Sequence, residues 1–363
     1  MRILHAAETI KGGVATVIRQ IVSGQIADDS SEVKCVIPRE QSSELACISE
    51  EHIVSFSRSG RNVISFLNFF FSFIKEVYKF RPDLVHLHST FSGVMGRLAL
   101  ILLWPIYRPK VVYCPHAFSF MMRGSNKKIK LYALLERFFT PFTDAIICVS
   151  QHEKDSAIRF GLPEKKLKVV HNGVSIGVSA PELVNPYQPN VINILFVGRF
   201  DYQKGFDILL DAMIQLKGKP IVLTAIGSAV HGEEPPKGMP KISYTGWLNG
   251  DELAPYFTYA DVLVMPSRWE GFAMVALEAM SYGVPVLASN CSSFPEMIEH
   301  GYSGLLFESE STNSLVHYLA DTDRETWKKL GNNARKVFLE KYTAKKMIDK
   351  TQEIYTSLFS DLQ

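Results

Sequence analysis

Short apolar segments alternate with amphipathic segments in two successive series, and this alternation constrains the fold more than any other feature of the 363 residues. Apolar runs that are followed by helical periodicity are typical of strand–helix–strand units with parallel strands. The first series predicts strands at Arg2–Ala6, Leu84–Leu87, Lys110–Cys114 and Ala145–Val149. The second predicts strands at Ile192–Val197, Ile221–Ile226, Val262–Met265 and Pro285–Ala288. We therefore expect an α/β protein with two doubly wound domains of similar size that face a cleft.

Helical periodicity follows several of these strands, and a segment without it separates the two series. The predicted helices include Val14–Ser23, Phe206–Gln215, Asp251–Phe257 and Met274–Tyr282. Val178–Asn190 contains three prolines and lacks periodicity, which favours an interdomain linker. We expect an N-terminal domain over residues 1–177, a C-terminal domain over 190–340, and a helix within 341–363 that packs back on the N-terminal domain.

The composition excludes several classes of protein. Hydrophobic residues make up 47% and charged residues 21%, which is typical of a soluble globular chain and not of a disordered one. The five cysteines are odd in number and never CxxC-spaced, which argues against a disulfide scaffold or a zinc site and favours a cytoplasmic location. The first 180 residues carry 23 Lys and Arg against 15 Asp and Glu, and the remainder carries 16 against 22. This excess is modest and no binding motif accompanies it, so we expect no nucleic-acid partner.

Membrane attachment depends on one basic segment. Met1–Ala7 lacks the long apolar region of a secretory signal, and Leu98–Tyr107 is about half as long as a spanning helix. Leu84–Leu135 contains no acidic residue and much apolar bulk, a combination that attracts anionic lipid. Two interpretations stay open: a peripheral protein at the inner face of the cytoplasmic membrane, or a solvated basic face beside a buried aromatic helix at Val63–Phe80. The basic residues of the segment are Arg97, Arg108, Lys110, Arg123, Lys127, Lys128 and Lys130.

The strongest chemical signal lies between Met265 and Ser289. Glu270 follows a predicted strand, and Glu278 lies one turn into the next predicted helix. Gly271 permits close backbone approach, and the amides that follow it would point free N–H groups at an anion. Those amides belong to Phe272, Ala273 and Met274. Glu278 could accept hydrogen bonds from a ribose and Glu270 from a sugar beyond the anion, although a capped helix with two surface glutamates would give the same pattern.

A second signal precedes it in Val197–Gly205. Arg199 and Lys204 follow a predicted strand and precede a predicted helix, which is where a diphosphate would need neutralising. Two cations in a loop are usually solvated, so this signal alone is weak. Together with the two downstream glutamates it indicates a site for a nucleoside diphosphate.

These motifs, G-R-x(4)-K-G followed by E-x(7)-E, resemble those of the retaining GT-B glycosyltransferases of family 4, the glycosyl transferases group 1. The resemblance covers nearly the whole chain, because the N-terminal half supplies Gly12-Gly13, His88 within V-H-L-H-S, and His116 after a predicted strand. It implies a GT-B fold of two Rossmann-like domains. It also implies hexosyl- or N-acetylhexosaminyltransferase activity with retention at the anomeric carbon.

The resemblance also assigns roles to individual residues. His116 and Glu270 would be catalytic and would position the donor sugar, while Glu278 would bind the ribose. The full donor-binding set would be Gly13, Arg199, Lys204, Phe272, Ala273, Met274 and Glu278. Gly12 and His88 are candidates for the acceptor side or the cleft.

A UDP-sugar is the expected donor, with GDP-mannose second. The expected acceptor is a saccharide on a polyprenyl diphosphate, as in the assembly of bacterial O-antigen or capsule. We expect no cofactor and no metal: His86 and His88 are assigned to opposite faces of one strand, and the D-x-D at residues 321–323 is assigned to a helix N-cap. Three alternatives stay open, namely a sugar-nucleotide epimerase, a phosphorylase on the same fold, and a non-catalytic nucleotide-sugar-binding module.

Overall fold

A computed structural model describes residues 1–28, 31–122, 124–178, 182–229, 241–248 and 250–360. Arg123 of the basic segment and residues 179–181 of the expected linker lie outside the described residues. The chain divides into two compact units, one formed by Met1–Gly173 with Ala344–Gln363 and the other by Val174–Thr343. The chain passes from the first unit to the second after Gly173, so the described part of the expected linker belongs to the second unit.

Each unit is built on one parallel sheet. The first sheet contains β1 (Arg2–Ala7), β2 (Glu32–Pro38), β3 (Ile53–Phe56), β4 (Leu84–His88), β5 (Lys110–Cys114), β6 (Ala145–Cys148) and β7 (Leu167–Val169). The second contains β8 (Ile192–Val197), β9 (Ile221–Ile226), β10 (Ile242–Gly246), β11 (Val262–Met265), β12 (Val286–Ser289) and β13 (Gly304–Phe307). The strand orders are β3-β2-β1-β4-β5-β6-β7 and β10-β9-β8-β11-β12-β13, with neighbouring strands parallel in both.

Helices connect the strands of each sheet. The first unit contains α1 (Gly13–Ala27), α2 (Val63–Phe80), α3 (Thr90–Leu103), α4 (Asn126–Phe139) and α5 (Gln151–Arg159). In the second unit these are α6 (Phe206–Gln215), α7 (Gly250–Tyr259), α8 (Met274–Tyr282), α9 (Phe294–Met297), α10 (Thr312–Asp321) and α11 (Arg324–Lys341). The chain then returns to the first unit, where α12 (Ala344–Ser360) packs against α1. The parallel sheets and their helical crossovers confirm the expected α/β class.

Burial of the central strands explains why they read as continuous apolar runs. β4, β6, β11 and β12 are buried along their whole length, as strands are when helices cover both faces of a parallel sheet. Phe69 and Phe73 of α2 fill the first core, and Trp327 of α11 fills the second. The D-x-D is an N-cap as expected, since the Asp323 carboxylate accepts a hydrogen bond from the Thr326 amide at 2.7 Å.

One glycine fixes the loop between β8 and α6. Gly205 has φ +65°, and a Cβ built there would lie 1.9 Å from the carbonyl oxygen of Pro266, which follows β11. Only glycine tolerates both the left-handed backbone and this close approach. The loops after β8 and β11 are therefore held in direct backbone contact.

The basic and aromatic segments of the first unit are only partly exposed. α2 buries Phe69 and Phe73 but leaves Phe71 and Tyr78 exposed, so the buried aromatic helix of the second open interpretation is buried only in part. Arg97 is fully buried and donates to the Glu136 carboxylate at 2.8 Å, so it does not belong to a basic surface. All five cysteines are free. Among the helices of the described residues, none combines the length and apolarity that a membrane span requires.

Candidate functional site

Two loops of the second unit bring the candidate residues together. Arg199 and Lys204 follow β8, and Glu270 follows β11. β8 and β11 are hydrogen-bonded neighbours, so their carboxyl ends lie side by side at one edge of the sheet. Ligands of doubly wound sheets bind at this edge.

A buried ion pair joins the two loops. Lys204 Nζ lies 2.6 Å from Glu270 Oε1, and the Ser267 hydroxyl donates to the same oxygen at 2.8 Å. The Glu270 amide donates to the Ser292 hydroxyl at 3.2 Å. The Glu270 side chain is only 8% exposed and that of Lys204 17%. The carboxylate of Glu270 is therefore fixed in position. The bonds from Lys204 and Ser267 both end on Oε1.

Arg199 is held in the same loop by local partners. Its Nε lies 3.0 Å from Asp201 Oδ2, and its Nη2 donates to Gln203 Oε1 at 2.8 Å. The other oxygen of Asp201 accepts from the Lys204 amide at 2.9 Å. Arg199 is more exposed than Lys204, so it is the cation that a ligand would meet at the rim.

The N-terminus of α8 adds amide donors beside this pair. Ala273 is the N-cap residue and its side chain supplies no capping bond, while Phe272, Ala273 and Met274 are all buried. The first-turn amides of a helix lack intrahelical acceptors and carry partial positive charge, which favours an anion. Glu278 lies one turn further along α8 and is half-buried. The donor-binding residues that the sequence predicts for the second unit therefore lie in the loops after β8 and β11 and in the first two turns of α8.

Arg268 links these loops, a role that is not predicted from its sequence context. Its guanidinium donates to both oxygens of Asp207 on α6, at 2.9 and 2.6 Å, and to the Tyr202 carbonyl at 2.7 Å. Its own amide donates to the Gln203 carbonyl at 2.8 Å. An arginine directly before W-E-G reads as a surface cation, so its structural role could be found only from the fold.

Gly12 and Gly13 lie beyond the carboxyl end of β1, where α1 begins. Both are exposed, and Gly12 has φ +59° with nothing within 4 Å of a built Cβ. The structure therefore places them at the exposed N-terminus of α1, beside the carboxyl end of β1.

A cluster of four histidines lies near the same edge of the first sheet, and His5, His86 and His88 are buried while His116 is partly exposed. His88 lies between His5 and His116, with His5 Nδ1 3.0 Å from His88 Nε2 and His88 Nδ1 3.0 Å from His116 Nε2. The assignment of His86 and His88 to opposite faces of the strand is wrong, since their ring centroids are only 4.0 Å apart. Residues two apart on a strand point to the same face. The four histidines therefore form one cluster.

These histidines are neutral near pH 7. Burial lowers the pKa of His5 and of His116 to about 4. Burial, and then the neighbouring rings, hold the pKa values of His86 and His88 well below their usual range. Nitrogen atoms of His5, His86 and His88 all lie within 4.8 Å of one another, close enough for one metal ion. The expectation of no metal stays a prediction.

Glu153 anchors the backbone that carries His116. This anchoring role was not predicted from the sequence. One carboxylate oxygen accepts from the amides of Ala117 and Phe118 at 2.9 and 3.0 Å, and the other from the Val149 amide at 2.7 Å. His116 and Ala117 have φ values of 53° and 92°, a strained backbone that the surroundings must hold. Burial raises the pKa of Glu153 to about 7, and the three amide bonds oppose that shift. The S-x-x-E spacing with Ser150 was the available signal, but it reads as an ordinary capping box.

Comparison with known families places both halves of the chain in one group of enzymes. Residues 192–322 match the family model described as Glycosyl transferases group 1, and residues 11–177 match the one described as Glycosyltransferase Family 4.

Several curated proteins are similar over most of their length. A protein of Klebsiella pneumoniae, described as an uncharacterized 41.2 kDa protein in the cps region, is 38% identical over 98% of this chain and 100% of its own. An uncharacterized glycosyltransferase of Methanocaldococcus jannaschii is 32% identical over 75% of each chain. The UDP-Gal:alpha-D-GlcNAc-diphosphoundecaprenol alpha-1,3-galactosyltransferase of Escherichia coli is 26% identical over 79% of this chain and 78% of its own.

Solved structures share the fold of the whole chain. Sucrose-phosphate synthase from Thermosynechococcus elongatus has a TM-score of 0.81 at 19% identity, covering 99% of this chain and 100% of its own. Anabaena HepE, in complex with UDP and glucose, has a TM-score of 0.81 at 18% identity, covering 98% and 100%. Together with the two parallel sheets, these likenesses confirm the expected GT-B class.

We predict that Glu153→Gln destabilises the first unit. The glutamine oxygen can still accept two amide bonds, but its NH2 group would face the Val149 amide, so one buried donor loses its partner. The free energy of unfolding should fall by roughly 1–3 kcal/mol. Urea denaturation measures it, with Asp155→Asn, an exposed change on the same helix, as the matched control. Equal stability of the two variants would contradict the anchoring role.

Proposed function

This chain belongs to the group 1, family 4 glycosyltransferases, and from that membership we propose that it transfers a sugar from a nucleoside diphosphate sugar to a hydroxyl of a saccharide acceptor, with retention at the anomeric carbon. The Lys204–Glu270 pair beside the N-terminus of α8 carries the proposal. A sugar nucleotide offers phosphates to the cation and the amides, and sugar hydroxyls to the carboxylate. Retention rests on the family resemblance.

Charge stabilisation of the leaving group is the chemistry we assign to the second unit. As the bond between the anomeric carbon and the diphosphate oxygen breaks, negative charge grows on the nucleoside diphosphate. Arg199, Lys204 and the first-turn amides of α8 are preorganised donors for that charge, and such donors act most strongly where water is excluded. We assign the neutralisation to these groups and not to a metal ion.

The two glutamates divide the rest of the donor between them. Both described side-chain bonds of Glu270 end on Oε1, so we assign Oε2 to a hydroxyl of the donor sugar. Glu278 lies one helical turn beyond the phosphate-binding amides, which supports a contact with the ribose. For the first unit, we assign His116 to the donor sugar and Gly13 to the distal phosphate.

We propose a UDP-sugar donor ahead of GDP-mannose, and a lipid-linked saccharide acceptor. The E. coli relative is named for UDP-Gal and for a diphosphoundecaprenol acceptor, and the Anabaena structure contains UDP. The K. pneumoniae relative comes from a cps region, which supports a role in surface polysaccharide assembly.

A membrane-facing surface on the first unit would suit such an acceptor. α3 contacts both α2 and α4, so the three helices lie side by side. Their outer sides expose large apolar side chains beside exposed lysines, a combination that fits an anionic bilayer. The apolar residues are Ile64, Leu67, Phe71, Tyr78, Leu98, Leu102, Leu131, Leu134 and Phe138. The lysines are Lys75, Lys79, Lys127, Lys128 and Lys130.

We predict that Arg199→Ala and Lys204→Ala each lower kcat by about 100-fold or more, the scale for removing one charge-stabilising donor. Both should also weaken binding of the nucleoside diphosphate. Steady-state kinetics on purified variants tests this, with Lys217→Ala, an exposed cation of the same unit, as the control. Wild-type turnover in both site variants would refute the assignment.

The roles of the glutamates can be separated by calorimetric titration. Glu278→Gln should weaken uridine and UDP in similar proportion, by roughly 10-fold, because the lost contact is with the nucleoside. Glu270→Gln should weaken the sugar nucleotide and spare UDP. The reverse pattern would show that the two roles are exchanged.

Sedimentation with lipid vesicles tests the membrane surface. The wild type should bind anionic vesicles and not neutral ones, and added salt should release it. The triple change of Lys127, Lys128 and Lys130 to Glu should weaken binding by at least roughly 100-fold, since each basic residue near an anionic surface contributes about 1 kcal/mol. Changing Lys328, Lys329 and Lys336 on α11 to Glu alters the net charge equally and should have little effect. Equal loss of vesicle binding in both variants would show that binding depends only on net charge, and would contradict a membrane surface on the first unit.

A further inference from the structure

A continuous line of hydrogen bonds runs from α1 to the loop after β5. The Gln25 carbonyl oxygen lies 2.8 Å from His5 Nε2, His5 Nδ1 lies 3.0 Å from His88 Nε2, and His88 Nδ1 lies 3.0 Å from His116 Nε2. Gln25, His5 and His88 are all at least 96% buried. Each internal ring therefore uses both of its nitrogens within the line.

The line must run in one direction. A neutral imidazole has one N–H and one bare nitrogen, so in a row of neutral rings each donates on one side and accepts on the other. Low pKa values keep these rings neutral. The direction of donation is then set by the end group that can act only as a donor or only as an acceptor.

Gln25 supplies that fixed end. Its carbonyl oxygen can only accept, so His5 carries its proton on Nε2 and His5 Nδ1 is bare. The Gln25 side chain also hydrogen-bonds the Tyr355 hydroxyl of α12, which occupies the NH2 side of the amide. That hydroxyl lies 2.5 Å from His86 Nδ1, so it can donate onward while it accepts from Gln25. The two contacts together orient the amide.

We propose that Gln25, His5 and His88 are positioning residues that hold His116 as its Nε2–H tautomer and so present Nδ1 as a hydrogen-bond acceptor. His88 Nε2–H donates to His5 Nδ1, and His116 Nε2–H donates to His88 Nδ1. The proposal rests on the proposed function insofar as a sugar hydroxyl would be the donor to His116 Nδ1. The tautomer itself does not depend on it.

Nitrogen atoms of the same histidines could instead bind a metal ion. A cation held by His5, His86 and His88 would replace the proton shared by His5 and His88. Among the described residues, His86 Nε2 has no hydrogen-bond partner, so it would be the available third ligand. Metal binding and the hydrogen-bonded line exclude each other, which makes them distinguishable.

Nitrogen-15 NMR of the full-length protein labelled in histidine tests the tautomer directly. At neutral pH the wild type should show His116 protonated on Nε2 and bare on Nδ1. In Gln25→Leu the acceptor for His5 is lost, so nothing holds the line in one direction and the population of His116 should shift towards the Nδ1–H form. Gln25→Glu keeps an acceptor and should keep the wild-type tautomer. A wild-type His116 protonated on Nδ1, an unchanged tautomer in Gln25→Leu, or displacement of the His5 and His88 signals by added Zn²⁺ would overturn the proposal.

Kinetics then separates this proposal from the assigned reaction. Gln25→Leu should lower kcat by roughly 10- to 100-fold, the effect of one lost buried hydrogen bond, and leave UDP affinity unchanged. Gln25→Glu should restore kcat. If His116→Ala leaves kcat unchanged while the NMR result holds, the tautomer assignment stands and the catalytic role of His116 fails.

Discussion

Parallel pairing of the strands is the constraint on which the candidate residues of both units depend. Lys204 and Glu270 are 66 residues apart in sequence, yet their side chains meet because β8 and β11 are neighbours that end at the same edge. His5, His88 and His116 meet for the same reason, since β1, β4 and β5 are consecutive in the first sheet. A strand order that moved β8 away from β11 would separate the first contact, and one that moved β4 away from β1 and β5 would separate the histidines.

The candidate residues of the two units differ in their electrostatics. The second unit concentrates cations and helix amides, and its carboxylates are bonded to those cations, which suits a ligand whose charge lies on phosphate. In the first unit the histidines are neutral and bonded to one another, which suits recognition of hydroxyl groups without charge. Within the proposed reaction, the charged groups of the second unit stabilise the leaving group. The neutral histidines of the first unit orient the sugar and the acceptor.

The sequence was informative where a local signal coincides with the tertiary contact. β11 and α8 have the predicted bounds, because the strand is continuously apolar and Gly283 ends the helix in a left-handed conformation. β10 was missed because it carries polar and exposed residues and lacks an apolar run. β2 was missed because Glu32 and Lys34 interrupt its first half, although its second half is apolar and buried. His5 and Glu153 were missed since a histidine in an apolar strand and a glutamate after an N-cap both have ordinary structural explanations. Their roles arise from partners more than 30 residues away, namely His88, Ala117 and Phe118.

The central claim is that the loop after β8 and the N-terminus of α8 bind a nucleoside diphosphate. A crystal structure of the protein with UDP tests it most directly. We expect phosphate oxygens within hydrogen-bond distance of Lys204 Nζ, of the Arg199 guanidinium and of a first-turn amide of α8, with the ribose hydroxyls against Glu278. A diphosphate bound elsewhere, with none of these groups in contact with it, would contradict the account.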